Sequence, residues 1–261
     1  MATPQETKID VGGVPIAVVR GGFGRPLLIL HDELGYAGWM TWNDTLAESR
    51  ELIIPLQPAY GRTPKIDWIR DYRDLALFYG RMIREQGWGP VDVIGFSAGG
   101  FVAAELAAAS PQLINKLVLV APLGLRPLEG EIFDFLAVTI RTHVAGTVTN
   151  IEAPEFATMY GGDMTSEQFE LFEDARAETA RLGWEPFMFS DSLAHHLQGI
   201  GNLAVQLIWG DGDIIAPRGE IDAYRQSLPN SSLTVLPGSG HRPEIEDPAG
   251  FLSAVTTFLG I

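Results

Sequence analysis

The sequence predicts an α/β protein built on a doubly wound, mostly parallel sheet. Short apolar runs of the fully buried strand type recur along the chain, and segments with apolar residues at helical spacing separate them. Buried strands that alternate with helices imply a parallel sheet with helices on both of its faces. The 261 residues are enough for one such domain with a sizeable core and an insertion.

The elements follow in order. Residues 9–19 predict an opening hairpin around Gly12-Gly13, because two β-branched runs flank a glycine pair. Further strands are predicted at 25–31, 51–56, 91–95, 116–122, 205–210 and 232–236. Helices are predicted at 66–85, 102–109 and 219–228, and a closing helix is predicted after Asp247, which would cap it, with Pro248 in its first turn.

From 123 to 201 the alternation stops, and the sequence turns mostly helical and rich in aromatic residues and methionine. Thr165 followed by Gln168 is a capping box that predicts a helix running to about Leu182. Open α/β sheets bind ligands beyond the carboxyl ends of their strands, so we predict that 123–201 is a helical lid over an apolar pocket, inserted after a central strand. The core then comprises 1–122 and 202–261. Most of the aromatic residues are expected to form the insertion's own core, and one or two to line the pocket.

Ser97 is the first candidate catalytic residue. It lies in the pattern Gly-x-Ser-x-Gly, between a β-branched run that ends at Gly95 and an alanine-rich helix former that follows Gly99. A tight strand-to-helix turn exposes such a serine, and the helix directs its first amide groups to the point where an acyl oxyanion would form. The pattern therefore predicts a nucleophile.

A serine hydroxyl needs a base, and the base needs a third group to orient it. Asp213 follows the strand at 205–210, and His241 follows the strand at 232–236, so a parallel sheet would bring both to the edge where Ser97 lies. Asp211 is the competing acid, because a shift of two residues in a glycine-bounded loop could also reach His241.

These loops resemble those of the α/β-hydrolase family, and the resemblance covers nearly the whole chain. Residues 210–217 resemble the family's G-x-x-D-x-x-x-P acid loop, and residues 240–248 resemble its G-H-x-x-x-x-E-x-P histidine loop. The resemblance implies a lidded serine hydrolase in which Ser97 is the nucleophile, Asp213 the acid and His241 the base.

The family also has an H-G-x-x-G turn whose third residue supplies an oxyanion-hole amide. Residues 31–35 read His-Asp-Glu-Leu-Gly, so Asp32 stands where glycine is usual. The resemblance assigns the oxyanion hole to the backbone amides of Glu33 and Ala98, and makes His31 a brace of the turn. Two acids beside a forming oxyanion are unfavourable unless both side chains point away.

Composition excludes several other classes. The net charge of -15 argues against a nucleic-acid partner, because a protein that binds nucleic acid needs clustered Lys and Arg. No run of apolar residues is long enough for a membrane span, and the first residues lack the pattern of a secretory signal, so a cytoplasmic location is expected. No cofactor is predicted. The sequence leaves the oligomeric state open between monomer and homodimer.

No metal is predicted either. The chain has no cysteine and no H-E-x-x-H motif. His143 is expected on a helix of the insertion, and His195 and His196 are adjacent, so on a helix they point in different directions.

The function predicted from these residues is hydrolysis of small, fairly apolar esters, lactones or related acyl compounds through an acyl-enzyme. A carbon-carbon bond hydrolase of dienoic ketoacids, or a cofactor-free dioxygenase, is the alternative that would use the His-Asp pair for base chemistry. A non-catalytic receptor for a small ligand is the third hypothesis, suggested by Asp32. The sequence does not identify the substrate, because specificity depends on which residues face the pocket.

Overall fold

A computed structural model describes residues 3–160 and 165–261, and in this part of the chain eight strands form one sheet. The strands are β1 (Gln5–Val11), β2 (Val14–Gly22), β3 (Arg25–Leu30), β4 (Arg50–Pro55), β5 (Val91–Phe96), β6 (Ile114–Val120), β7 (Ala204–Gly210) and β8 (Ser232–Leu236). Their order is β1-β2-β4-β3-β5-β6-β7-β8. β1 pairs with β2, and β2 with β4, in antiparallel fashion, and every later pairing is parallel. The predicted fold class is confirmed.

The helices of the described residues are α1 (Thr41–Ala47), α2 (Tyr72–Gln86), α3 (Ala98–Ala109), α4 (Ile140–Gly146), α5 (Pro154–Tyr160), α6 (Ser166–Gly183), α7 (Leu193–Leu197), α8 (Arg218–Ser227), α9 (Pro243–Glu246) and α10 (Pro248–Leu259). α2 begins later than the predicted residue 66, because the Asp71 side chain accepts a hydrogen bond from the Asp74 amide and caps the helix there. α10 begins as predicted, with the Asp247 side chain bound to the Gly250 amide.

The sheet is covered on both faces, which is why its central strands read as continuous apolar runs. All six residues of β5 are buried. Val93 belongs to the core cluster beneath α2, α3 and α8, and the next residue, Ile94, belongs to the cluster that contains α1 and α10. Packing on both faces holds the carboxyl end of β5 in place, and Ser97 is the residue that follows it.

Segment 123–201 leaves the sheet after β6 and returns to it at β7. The two strands pair in parallel without interruption, so the segment is an excursion from the sheet rather than part of it. It contains α4 to α7, and Thr165 and Gln168 form the predicted capping box at the start of α6. Residues 161–164 of this segment lie outside the described residues. No helix among the described residues is long and apolar enough to cross a bilayer.

Candidate active site

Ser97 lies at the turn between β5 and α3 in a backbone conformation that side chains rarely adopt, with φ 48° and ψ -116°. The flanking glycines make this turn sterically accessible. A Cβ added at Gly95 would lie 2.5 Å from the Gly99 carbonyl oxygen, and one at Gly99 would lie 2.3 Å from the His31 carbonyl oxygen. The turn that follows β3 is therefore pressed against the start of α3, beside Ser97.

The acid and histidine loops meet at the same edge of the sheet. Gly210 ends β7 so close to the histidine loop that a Cβ there would lie 2.2 Å from the Gly240 carbonyl oxygen. Nδ1 of His241 lies 2.8 Å from Oδ2 of Asp213, and both residues are buried. Because a carboxylate only accepts, Nδ1 carries the proton and Nε2 of His241 faces away from Asp213.

The other carboxylate oxygen of Asp213 accepts hydrogen bonds of 2.8 Å and 3.0 Å from the Ile215 and Ala216 amides. These bonds hold the side chain in place. Asp211, the competing acid, accepts a 2.6 Å hydrogen bond from the Gly238 amide instead. Of the two carboxylates, Asp213 is thus the one that contacts His241.

Glu246, a motif residue of the histidine loop, holds that loop in place. Its Oε2 accepts a 2.5 Å hydrogen bond from the Gly240 amide. Its Oε1 accepts bonds from the Thr149 amide, the Thr149 hydroxyl and the Asn150 amide, at 2.8, 2.6 and 2.8 Å. The loop that carries His241 is thereby tied to segment 123–201.

The side chain of Glu33 does not point away from Ser97. The Ser97 hydroxyl donates a 2.5 Å hydrogen bond to Oε2 of Glu33, and Nε2 of His143 lies 3.1 Å from Oε1 of the same carboxylate. Nε2 of His241 has no hydrogen-bond partner within residues 3–160 and 165–261. The serine hydroxyl is therefore bound by Glu33, and not by His241, in this structure.

His143 reaches the site because α4 is capped next to it. The Thr139 hydroxyl accepts a hydrogen bond from the Thr142 amide at the start of α4, which places His143 one turn into the helix. The His143 ring is fully buried and stacks on Phe135 with ring centres 4.6 Å apart. The helix position was predicted, but the contact with Glu33 was not, because 110 residues of chain separate the pair and no local pattern links them.

Asp32, in contrast, does turn away from Ser97. Its Oδ2 lies 2.6 Å from the Arg242 guanidinium, which also binds Glu244 at 2.8 Å and donates to the Tyr160 hydroxyl. All these side chains are buried. Arg242 thus neutralises part of the charge that Asp32 brings into the turn.

His31 braces the turn as the resemblance implied. Its Nδ1–H donates to the Asp32 carbonyl at 2.9 Å, and its Nε2 accepts the Gln57 amide at 3.1 Å. Gln57 also donates its side-chain amide to the His31 carbonyl. Burial lowers the pKa of His31 to about 4, which keeps the ring neutral in this role.

The charges around Ser97 favour an anionic Glu33 and a cationic His241. Burial alone would raise the pKa of Glu33, but the hydrogen bond from His143, the nearby His241 and the Ser97 hydroxyl hold it well below its usual range. Burial would lower the pKa of His241, but Asp213, Glu33 and Asp32 together raise it to about 9. Neutral pH thus favours a carboxylate at Glu33 and an imidazolium at His241.

The site is closed to solvent, since Ser97 is 2% and His241 3% exposed. A cavity lies next to this site, and Phe96, Asp32 and Arg242 form part of the cavity wall. The described residues that line this cavity all belong to 29–96 and 242–244, so it is lined from the core and not from segment 123–201. Within that segment, the aromatic residues Phe156, Tyr160 and Phe172 pack on one another.

The remaining histidines lie elsewhere. His195 and His196 are exposed on α7. In residues 3–160 and 165–261 no group of three or more histidine, aspartate and glutamate side chains is arranged to hold a metal ion.

The strand order, the serine turn and the loops that carry His241 and Asp213 define an α/β hydrolase. A model of the alpha/beta hydrolase family matches residues 27–254, and the chain belongs to this family.

Its relatives include esterases. The chain is 26% identical to a pimeloyl-(acyl-carrier protein) methyl ester esterase of Aeromonas hydrophila subsp. hydrophila, over 94% of this chain and 99% of that protein. Among solved structures, it resembles a 2-hydroxy-6-oxo-6-phenylhexa-2,4-dienoate hydrolase of Rhodococcus sp. strain RHA1, with a TM-score of 0.81 at 16% identity over all of both chains. It also resembles a membrane phospholipase A, described as a bacterial virulence factor, with a TM-score of 0.81 at 21% identity over 98% of this chain and 86% of the other. These two likenesses show the fold alone.

Proposed function

We propose that the protein is a serine hydrolase of small, fairly apolar esters, lactones or related acyl compounds, acting through Ser97, His241 and Asp213. The observation that supports this most is a strained serine at a strand-to-helix turn, at the same edge of the parallel sheet as a histidine bound to a buried aspartate at 2.8 Å. The esterase relative supports the choice of an acyl substrate.

In the proposed reaction, Oγ of Ser97 attacks the acyl carbon while Nε2 of His241 takes the hydroxyl proton. His241 then gives that proton to the leaving oxygen, which departs as the alcohol. Water then attacks the acyl carbon while it loses a proton to His241, and His241 passes that proton to Oγ of Ser97 as the acid departs. Asp213 orients the ring and stabilises its charged form, and the amides of Glu33 and Ala98 are proposed to hold the oxyanion.

We propose further that segment 123–201 acts as the lid. His143 and Thr179 of this segment both contact Glu33 beside Ser97. Because Ser97 and His241 are almost wholly buried, a substrate could reach them only after this cover opens.

Intact mass after treatment with a fluorophosphonate probe tests the proposal. Labelling with a stoichiometry of one in the wild type, lost in Ser97→Ala, is the expected result. Circular dichroism of both proteins would show that the variant is folded. A folded wild type that stays unlabelled at every pH would contradict an activated Ser97.

A carbon-carbon bond hydrolase is the second candidate. It is favoured by one observation, namely that Nε2 of the buried His241 is left without a partner while the Ser97 hydroxyl is bound elsewhere. Such an enzyme would use His241 as a base toward a dienoic ketoacid. Product masses that show cleavage of a carbon-carbon bond, with no oxygen consumed, would distinguish it from an esterase and from a cofactor-free dioxygenase.

A further inference from the structure

Glu33 and His143 are buried ionisable side chains to which the proposed triad gives no step. Both are fully excluded from solvent. The oxyanion hole would use only the backbone amide of Glu33. Burying an ionised carboxylate is costly unless it is paired and hydrogen-bonded. The burial of Glu33 beside Ser97 therefore suggests that its carboxylate has a function there.

The hydrogen bonds of Ser97 indicate that role. A hydroxyl has one proton to donate, and Ser97 donates it to Glu33 at 2.5 Å. While this bond persists, Ser97 cannot donate to His241, whose Nε2 has no partner in the described part of the chain. When His241 is neutral, its Nε2 becomes a second acceptor and competes with Glu33 for the one hydroxyl proton.

The carboxylate of Glu33 is held in this position from segment 123–201. His143 lies 3.1 Å from its second oxygen and is itself immobilised by stacking on Phe135. The Thr179 hydroxyl donates to the Glu33 backbone carbonyl at 3.2 Å and contacts the Tyr60 hydroxyl at 2.8 Å. Both the backbone and the side chain of Glu33 are therefore fixed.

We propose that Glu33 is a positioning residue of the serine site: held by His143, its carboxylate binds the Ser97 hydroxyl in the resting enzyme, and it competes for that hydroxyl with the neutral form of His241. This inference rests on the proposed hydrolase function. Acylation then begins only when the Ser97 hydroxyl turns from Glu33 to His241.

The charge of Glu33 acts in the same direction as its hydrogen bond. The charged groups that face His241 are Asp213 beyond β7 and Asp32 and Glu33 beyond β3, and the neighbouring Arg242 is engaged by Asp32 and Glu244. Each carboxylate favours the imidazolium, which is not a base. An anion beside Ser97 also opposes an oxyanion forming there. Removal of the Glu33 charge should therefore make Ser97 react at lower pH.

Glu33→Gln tests this, because it keeps the size of the side chain and removes the charge. The rate of fluorophosphonate labelling of Ser97 would be measured from about pH 5 to about pH 10 for the wild type and the variant. We expect the rising limb of the profile to move about one unit lower in Glu33→Gln, with labelling up to about tenfold faster at neutral pH. Titration of the histidine ring signals by NMR provides a readout that needs no turnover, and the His241 pKa should fall by a similar amount.

His143→Gln tests whether His143 acts through Glu33. Alone it should change the pH profile, and in the Glu33→Gln background it should add little, because the carboxylate it holds is gone. His195→Gln is the matched control, since His195 is exposed on α7. Its profile should be that of the wild type.

An unchanged profile and unchanged His241 titration in Glu33→Gln would overturn the proposal. So would slower labelling at every pH in a folded variant, which would mean that Glu33 assists the serine. A wild type without labelling at any pH is a different result, because it contradicts the hydrolase function, and the NMR titration would still decide the role of Glu33. Labelling of Glu33→Gln at a pH where the wild type is not yet labelled, with both proteins labelled at higher pH, would be the clearest support for competition.

Discussion

Oδ2 of Asp213 lies 2.8 Å from Nδ1 of His241, and both residues are buried. Asp211, only two residues earlier, binds the Gly238 amide in a turn. The two carboxylates share a loop but have different surroundings, so their variants should behave differently.

Asp213→Asn should lower the rate of Ser97 acylation by about 10³ to 10⁴, because the amide neither fixes the His241 tautomer nor stabilises its charged form. Asp211→Asn is the matched control and should leave the rate nearly unchanged. Steady-state kinetics, or the labelling rate, would compare the two. Equal losses in both variants would contradict the assignment of Asp213 as the acid.

The pH dependence of acylation follows from the raised pKa of His241. The ring acts as a base only when neutral, so the rate should rise with pH and level off above about pH 9. A profile already flat at neutral pH would contradict this. The same shift affects stability: the folded protein holds this proton more tightly than the unfolded chain does. The stabilisation is complete below pH 6.5 and is lost as pH rises through about 9.

Gly99→Ala should disrupt the serine turn. The new Cβ would lie 2.3 Å from the carbonyl oxygens of both Leu30 and His31, and backbone cannot yield as a flexible side chain does. We expect a loss of about 3 kcal/mol or more in the free energy of unfolding, measured in guanidinium chloride, together with loss of labelling.

Gly146→Ala is the control for that substitution. Gly146 ends α4, and its Cβ would make only an ordinary contact, 3.5 Å from Ile214. Its stability should be unchanged or higher by up to about 1 kcal/mol. Similar destabilisation of the two variants would argue against the tight approach of the β3 turn to α3.

Arg242→Met should cost about 3–5 kcal/mol of stability, because it leaves Asp32 and Glu244 buried without their cation. Part of the loss should be recovered as pH falls and Asp32, whose pKa burial raises, takes up a proton. Arg218→Ala breaks an exposed pair with Asp222 and should change stability by less than about 0.5 kcal/mol. Urea unfolding at two pH values would measure all of these effects.

The sequence predicted the sheet and the positions of Ser97, Asp213 and His241 because each depends on a local pattern. A buried parallel strand is apolar throughout its length. The loops that follow such strands lie at one edge of the sheet, and this does not depend on how the connecting helices pack. The start of α2 was misplaced, since the apolar spacing continues upstream of the Asp71 cap. α1 was not predicted at all.

The surroundings of Ser97 could not be predicted in the same way. From the sequence, two acids beside a forming oxyanion are unfavourable unless both side chains point away; in the structure Asp32 turns away and Glu33 binds the hydroxyl. His143 stabilises Glu33 beside Ser97. It belongs to a distant segment, and no sequence pattern links that segment to the β3 turn. Contacts of this kind depend on how the excursion after β6 folds back over the sheet.

The backbone angles of Ser97 have a thermodynamic consequence. A residue with a side chain at φ 48° and ψ -116° carries a cost of about 1–3 kcal/mol that glycine avoids. Ser97→Gly should therefore unfold at a higher temperature than Ser97→Ala, although neither can form an acyl-enzyme. The difference between the two variants measures the folding free energy that the strained backbone at this position costs.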